Sequence, residues 1–147
     1  MAQFPSSVLF CCDHNAVRSP MAEGLMKRLY GTRSYVQSAG VKSDLEIDGF
    51  SIAVCHEIGV ELDRHRARTF EELGEDVAGF DLIVALSPAA RAAAQGLAHE
   101  TDIAMEYWPI DDPTGTGESR EAKLDAYRQT RDQIRAHMVE RFGPPNS

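Results

Sequence analysis

The sequence predicts an α/β protein: a three-layer sandwich in which about five helices cover a four-stranded parallel sheet. Three observations predict it. Short apolar runs of strand length alternate with helical stretches along the chain, which implies parallel pairing through right-handed crossovers. Ser-Pro pairs, at Ser19-Pro20 and Ser87-Pro88, open two of the helical stretches just after an apolar run. The 147 residues carry no internal repeat, low-complexity tract or linker, and suit one domain over residues 1–147.

The elements follow in order. Residues 7–12 read as a buried strand. A helix is expected over 19–30, with Ser19 as N-cap, Pro20 at the first helical position and Gly31 just past the end. Its apolar stripe is Met21, Leu25, Met26 and Leu29. Residues 35–39 form the second strand. Phe50, Val54 and Ile58 recur at helical spacing before Gly59. The acidic stretch 71–81 reads as solvated helix and loop. The third strand covers 81–85, and Ser87-Pro88 opens the next helix. The fourth strand covers 103–108. Ser119 caps a long helix to about Phe142, carried by Leu124, Tyr127, Ile134 and Met138 and stopped by Gly143-Pro144-Pro145.

Composition narrows the function. A net charge of −8 argues against a broad nucleic-acid-binding face, although one local pocket can still be positive. The three cysteines, Cys11, Cys12 and Cys55, make no disulfide framework and fit a reducing compartment. No apolar run approaches the length of a membrane span, and the first residues lack a basic signal-peptide region. A cytoplasmic protein is expected, without membrane or nucleic-acid partners.

The chemistry concentrates between Cys12 and Ser19. A strand there turns directly into a helix start, where backbone N–H groups lack intrahelical partners and the helix dipole is positive. Such a turn binds oxyanions and stabilises a thiolate at its edge. The Arg18 guanidinium matches the oxygens of a tetrahedral anion. Ser19 can donate a hydroxyl hydrogen bond to the sulfur. Cys12, Arg18 and the loop amides thus supply a nucleophile, a cation and an anion cradle. A leaving alkoxide or phenoxide needs a proton, which an Asp on an opposing loop can supply; Asp111 and Asp112 are the candidates. No His-x3-His or Cys-x2-Cys spacing suggests a metal site, and no cofactor is expected.

The string CDHNAVRS is Cys-x5-Arg-Ser, and the wider VLFCCDHNAVRSPMAE resembles the low-molecular-weight protein tyrosine phosphatase family. That family also contains arsenate reductases built on the same fold. The resemblance continues through Gln37-Ser38-Ala39-Gly40, HEIGVELDRHRART and the IDDP preceding the last helix. It implies a phosphotyrosine phosphatase I-like fold, with Cys12 as nucleophile, Arg18 as phosphate clamp and Asp112, before Pro113, as general acid. The loop residues Asp13, His14, Asn15, Ala16, Val17 and Ser19 would contact substrate. Asn15 would hold the loop in a left-handed conformation, braced with the thiolate by Ser19, Ser38 and His65. The implied reaction is phosphomonoester hydrolysis through a cysteinyl-phosphate, on a phosphorylated protein or a small aryl phosphate.

Several residues depart from the family pattern. His14 replaces a glycine, which implies a strained or left-handed backbone there, and its side chain is expected either to face solvent or to touch ligand. Val17 replaces a second loop cysteine. Thr114 and Gly115 follow Asp-Pro where many members carry aromatics, and residues 41–50 are acidic and offer only Phe50. The alternative is an arsenate reductase using arsenate and an external thiol system. Its relay cysteines would lie near Ser87, where this chain has none. Cys11 points to the opposite face of the strand from Cys12, and Cys55 reads as core. A second alternative is a non-catalytic oxyanion-binding module. Arg64, Arg66 and Arg68 read as solvated surface, Tyr107 and Trp108 as core or pocket wall, and His56, His99 and His137 as surface.

Overall fold

Every residue of Ser7–Cys12 is buried, and this run forms β1, an inner strand of the sheet. A computed structural model describes residues 4–42 and 45–145, so Ser43 and Asp44, within the acidic residues 41–50, lie outside the described residues. β2 (Tyr35–Gly40) pairs with one side of β1 and β3 (Leu82–Ala85) with the other. β4 (Ala104–Tyr107) pairs with β3. All pairings are parallel, in the order β2-β1-β3-β4, which bears out the expected class.

The helices are α1 (Arg18–Tyr30), α2 (Gly49–His56), α3 (Phe70–Leu73), α4 (Pro88–Thr101) and α5 (Arg120–Phe142). The acidic stretch becomes α3 and a 3-10 segment, Gly74–Gly79. Alternation along β1 divides the interior between the two sheet faces. Val8, Phe10 and Cys12 join a core built with Met21, Leu25 and Met26 of α1 and Ile134 and Met138 of α5. Leu9 and Cys11 join a second core with Val77 and with Ala90 and Ala94 of α4. Trp108 is core, packed on Phe10, while Tyr107 packs at the edge of the second core. His137, expected at the surface, stacks on the Trp108 indole.

Two of the expected caps form as read. Ser87 accepts from the Ala90 amide with Pro88 behind it, and Ser119 accepts from the Ala122 amide. Ser19 does not cap α1. The helix starts one residue earlier, at Arg18, and Val17 precedes it without a side-chain cap. The physical reason is that the Ser19 hydroxyl is engaged elsewhere, by the Cys12 sulfur and the Asn15 amide. α2 gains a cap that sequence reading left unassigned: Asp48 accepts from the Phe50 and Ser51 amides.

This topology positions the site. The chain leaves β1 toward β2 on one side, while β3 adds on the other, so a crevice opens beyond their carboxyl ends. The loops after Cys12 and after Ala85 border it. Gly40, ending β2, presses against this loop: a Cβ there would lie 2.6 Å from the Asn15 amide nitrogen, so only glycine fits. On the far side, α5 holds α2 in place. Arg131 Nη1 donates to the Val54 carbonyl at 2.7 Å, and the Tyr127 hydroxyl donates to Asp48 Oδ2 at 3.0 Å. Among the described residues, no helix is long and apolar enough to cross a membrane.

Candidate active site

The loop from Cys12 to Ser19 closes around one sulfur. Cys12 is 2% exposed. Its Sγ accepts from the Ser19 backbone N–H at 3.4 Å and lies 3.0 Å from the Ser19 hydroxyl. Pointing an α1 amide at the sulfur is what a helix start offers a thiolate.

Asn15 is the keystone of the loop. It adopts φ 56°, a left-handed conformation that Asn tolerates better than most residues. Its Nδ2 donates to the Ser19 hydroxyl at 2.8 Å and to the Ser38 hydroxyl at 2.9 Å. Its Oδ1 accepts from the Arg68 backbone N–H at 3.0 Å, which sets the amide orientation. His65 Nε2 lies 3.0 Å from the same oxygen and 3.2 Å from the Asn15 carbonyl. Both partners can only accept, so Nε2 carries the proton. Burial lowers the His65 pKa below the usual histidine value, against the raising influence of Glu23.

Glu23 was missed by sequence reading. It is a buried carboxylate in α1 that accepts from Ser38 Oγ at 2.5 Å and pairs with Lys27 at 2.5 Å. It extends the chain of bonds from Cys12 through Ser19, Asn15 and Ser38. The signal was present: Glu23 follows Ser19 by four positions and shares its helix face.

Arg18 is 6% exposed. Nη1 donates to the Ile110 carbonyl at 3.1 Å, and Nη2 lies 3.4 Å from Asp13 Oδ2 and 3.9 Å from Asp112 Oδ2. Asp13 is held from its other oxygen, which accepts from Ser87 Oγ at 2.6 Å. That bond spans the crevice between the loops after β1 and β3.

These groups surround a cavity of about 290 Å³. Cys12, Ala16, Val17 and Arg18 form its floor, with Asp13 and His14 beside them. Leu45, Glu46 and Asp48 line the side before α2, and Asp112 and Thr114 line the side after β4. Asp112 Oδ1 accepts from the Thr114 amide and hydroxyl, at 3.0 and 2.7 Å. Asp111 is absent from the lining, and its backbone N–H donates to Gln133. His14 is half-buried and lines the cavity rather than simply facing solvent, and its φ is not positive. The left-handed turn falls on Asn15, which relieves position 14 of any need for glycine.

The remaining thiols lie elsewhere. Cys11 is fully buried on the opposite sheet face, and its Sγ donates to the Val84 carbonyl at 3.5 Å. Burial, reinforced by the charge of Cys12, raises its pKa well above the ordinary value. Cys55 is buried in the first core, and burial raises its pKa to about 12. Arg64 and Arg66 are exposed and lie with His65 along an adjoining groove, while Arg68 braces the loop through its backbone.

Comparison with known proteins gives a consistent picture. A family model described as low molecular weight phosphotyrosine protein phosphatase matches residues 7–142. Arsenate reductase 1 of Staphylococcus epidermidis is 29% identical over 131 residues, 88% of this chain and 90% of that protein. Among solved structures, an arsenate reductase from Archaeoglobus fulgidus superposes with a TM-score of 0.71 at 28% identity, covering 92% of this chain and 98% of the other. The Erwinia amylovora tyrosine phosphatase amsI superposes with a TM-score of 0.72 at 23% identity, covering 93% of each chain; it shares the fold.

Proposed function

Because this chain belongs to the low molecular weight phosphotyrosine protein phosphatase family, we propose that it is a phosphomonoester hydrolase of the cysteine-dependent kind. Family membership leaves phosphatase and arsenate reductase both open, since relatives carry either name. One observation carries the choice: an aspartate and the cysteine nucleophile line the same cavity, with no second thiol beside them.

In this reading the Cys12 thiolate attacks phosphorus in line with the leaving oxygen. A sulfur–phosphorus bond forms as the phosphorus–oxygen bond breaks, and Asp112 delivers its proton to that oxygen. Arg18 and the loop amides hold the three equatorial oxygens as charge shifts across them. Arg18 leans on Asp13 and the Ile110 carbonyl, which aims its fork at the loop. Asp112, now a carboxylate, takes a proton from water, which cleaves the cysteinyl-phosphate and releases phosphate. Ser19 bonds the sulfur itself, through its hydroxyl and its backbone N–H, while Asn15, Ser38 and His65 serve it indirectly, by fixing the backbone that surrounds it. The substrates are a phosphorylated protein or a small aryl phosphate, in a cytoplasmic setting that keeps Cys12 reduced.

The second reading is arsenate reduction, favoured by the name of the Staphylococcus epidermidis relative. Here Cys12 would attack arsenic and an external thiol would reduce the adduct. A relay within the chain has no support. Ser87, at the crevice, is a serine, and Cys11 and Cys55 are buried away from the cavity.

Hydrolysis of p-nitrophenyl phosphate by the wild type, lost in Cys12→Ser, is the expected result. Arsenate-dependent oxidation of an added thiol system without ester hydrolysis would replace this reading with the second. Tight phosphate binding with neither reaction would leave an oxyanion-binding module.

A further inference from the structure

We propose that Asp13, acting with Glu46 and Asp48, is a specificity-determining residue that directs this site toward phosphorylated side chains flanked by positive charge. The inference rests on the phosphatase reading and concerns the leaving-group side of the same cavity.

The floor and the rim of the cavity have opposite characters. At the floor, Arg18 and the loop amides suit a phosphoryl group. Above it, the lining carries four carboxylates, on Asp13, Glu46, Asp48 and Asp112, and Arg18 is the sole Lys or Arg of the lining among the described residues. Asp112 has a task in proton transfer. Asp13 also steadies Arg18 through Oδ2, while Glu46 and Asp48 have no task in the mechanism, and these three come from two separate segments of the chain.

Two of the three are fixed by other elements. Asp13 Oδ1 is bound by the hydroxyl of Ser87, itself 1% exposed at the start of α4. Asp48 is held by two α2 amides and, from α5, by the Tyr127 hydroxyl. Neither carboxylate is free to swing away from the rim. Glu46 is exposed and has no hydrogen-bond or ion-pair partner among the described residues, which leaves it available to a ligand.

Among the described residues, the lining holds no Phe, Tyr or Trp, so ring stacking supplies little of the affinity for an aryl leaving group. Electrostatics therefore decides among substrates. A cation about 6 Å from a rim carboxylate gains roughly tenfold in affinity at an effective dielectric between that of water and that of a protein surface. An acidic flank loses a similar factor. One feature opposes this preference: Arg64 and Arg66 lie in the adjoining groove, which shares Leu45 and Glu46 with the cavity. Asp63 lies in that groove as well, and offsets part of their charge.

The test uses two phosphotyrosine peptides of equal length, one with lysines beside the phosphotyrosine and one with glutamates. Their Kd values are measured with the Cys12→Ser protein, and their kcat/KM values with the wild type. The lysine peptide should bind about tenfold more tightly at low ionic strength, with the ratio shrinking as salt rises. Asp13→Asn and Glu46→Gln should each lower the ratio; the exposed position of Glu46 makes its variant the safer one for folding. Equal affinities, a ratio insensitive to both variants, or no binding of either peptide would overturn the proposal. A preference for the glutamate peptide would overturn it too, and would assign selection to Arg64 and Arg66. If the wild type fails to hydrolyse p-nitrophenyl phosphate while the Cys12→Ser protein keeps the lysine preference, the phosphatase reading falls and the charge selection stands.

Discussion

Cys11 and Cys12 are joined by one peptide bond, yet they face different halves of the molecule. Cys11 ends in the second core among Leu9, Ile83 and Ala85, where its thiol finds a single carbonyl and burial holds its proton on. Cys12 ends at the floor of the cavity, where an α1 amide and a hydroxyl reach its sulfur and Arg18 lies beside it. Both are almost inaccessible to solvent. Burial therefore does not separate them; the polar groups that turn toward each sulfur do. The alternation of a strand sends one thiol to apolar packing and its neighbour to a loop that becomes a helix.

The largest expected effect tests that contrast directly. Cys12→Ser should reduce p-nitrophenyl phosphate turnover by about 10⁴-fold or more, as removing a covalent nucleophile does. Cys11→Ala should leave kcat/KM within about threefold and cost roughly 1 kcal/mol of stability through lost packing. Iodoacetate should label Cys12 in the folded wild type and spare Cys11 and Cys55 until the protein is unfolded. Labelling of Cys11 at a comparable rate would break the comparison.

Asp111 and Asp112 form a second adjacent pair, and the same logic separates them. Asp112 lines the cavity beside Arg18, while the backbone of Asp111 is tied to Gln133 and Thr130 of α5. Asp112→Asn should lower kcat by about 10²–10³-fold with little change in KM, the range expected on removing a general acid. Asp111→Asn should stay within about threefold of wild type. Equal losses in the two variants would remove the assignment of the proton donor.

Left-handed backbone supplies a third pair. Among the described residues, only Asn15 (φ 56°) and Asp102 (φ 60°) are non-glycine residues with positive φ. Asp102 ends α4 at the surface, where alanine costs about 1 kcal/mol for the left-handed conformation. Asn15 is fully buried and holds Ser19, Ser38, His65 and the Arg68 amide. Asn15→Ala should cost about 3 kcal/mol, because it adds orphaned polar groups to the backbone penalty, and should lower kcat as well. Denaturant midpoints and steady-state kinetics for both variants read the difference. Equal destabilisation would mean that the network contributes nothing beyond the turn.

These pairs also show what could be read in advance. The order of elements was legible because periodicity and Ser-Pro starts are local: the Ser87 and Ser119 caps bond an amide three residues on. Cys12 and Arg18 were legible for the same reason, lying six apart across one turn. The α2 cap was hidden because Asp48 sits in the acidic residues 41–50, which were weighed only for the aromatic walls they lack. Ser19 was assigned to a cap because its partners, the Cys12 sulfur and the Asn15 amide, come from the folded loop and not from the helix ahead. Glu23 escaped notice because a lone glutamate on a helix reads as exposed; only the approach of β2 supplies Ser38. His14 shows the converse. The missing glycine suggested strain, and the fold places the unusual φ one residue later.

The mildest expected effect concerns pH, and it distinguishes the bracing of the loop from its chemistry. Burial lowers the pKa of His65, so the folded protein prefers the neutral ring, with Nε2–H directed at Asn15. In the unfolded chain, the ring takes a proton near its ordinary value of 6.5. Above that pH both states are neutral, and the full stability is present. As pH falls below 6.5 the unfolded state binds protons first, so stability declines until the folded pKa is passed. His65→Gln, which keeps an N–H donor for Asn15, should lose some stability at neutral pH and show a shallower decline on acidification. Urea unfolding of both proteins between pH 7.5 and pH 5 measures the two slopes. Parallel slopes would show that the ring does not stand as a buried neutral brace. A wild type that gains stability on acidification would require Glu23 to outweigh burial at this position.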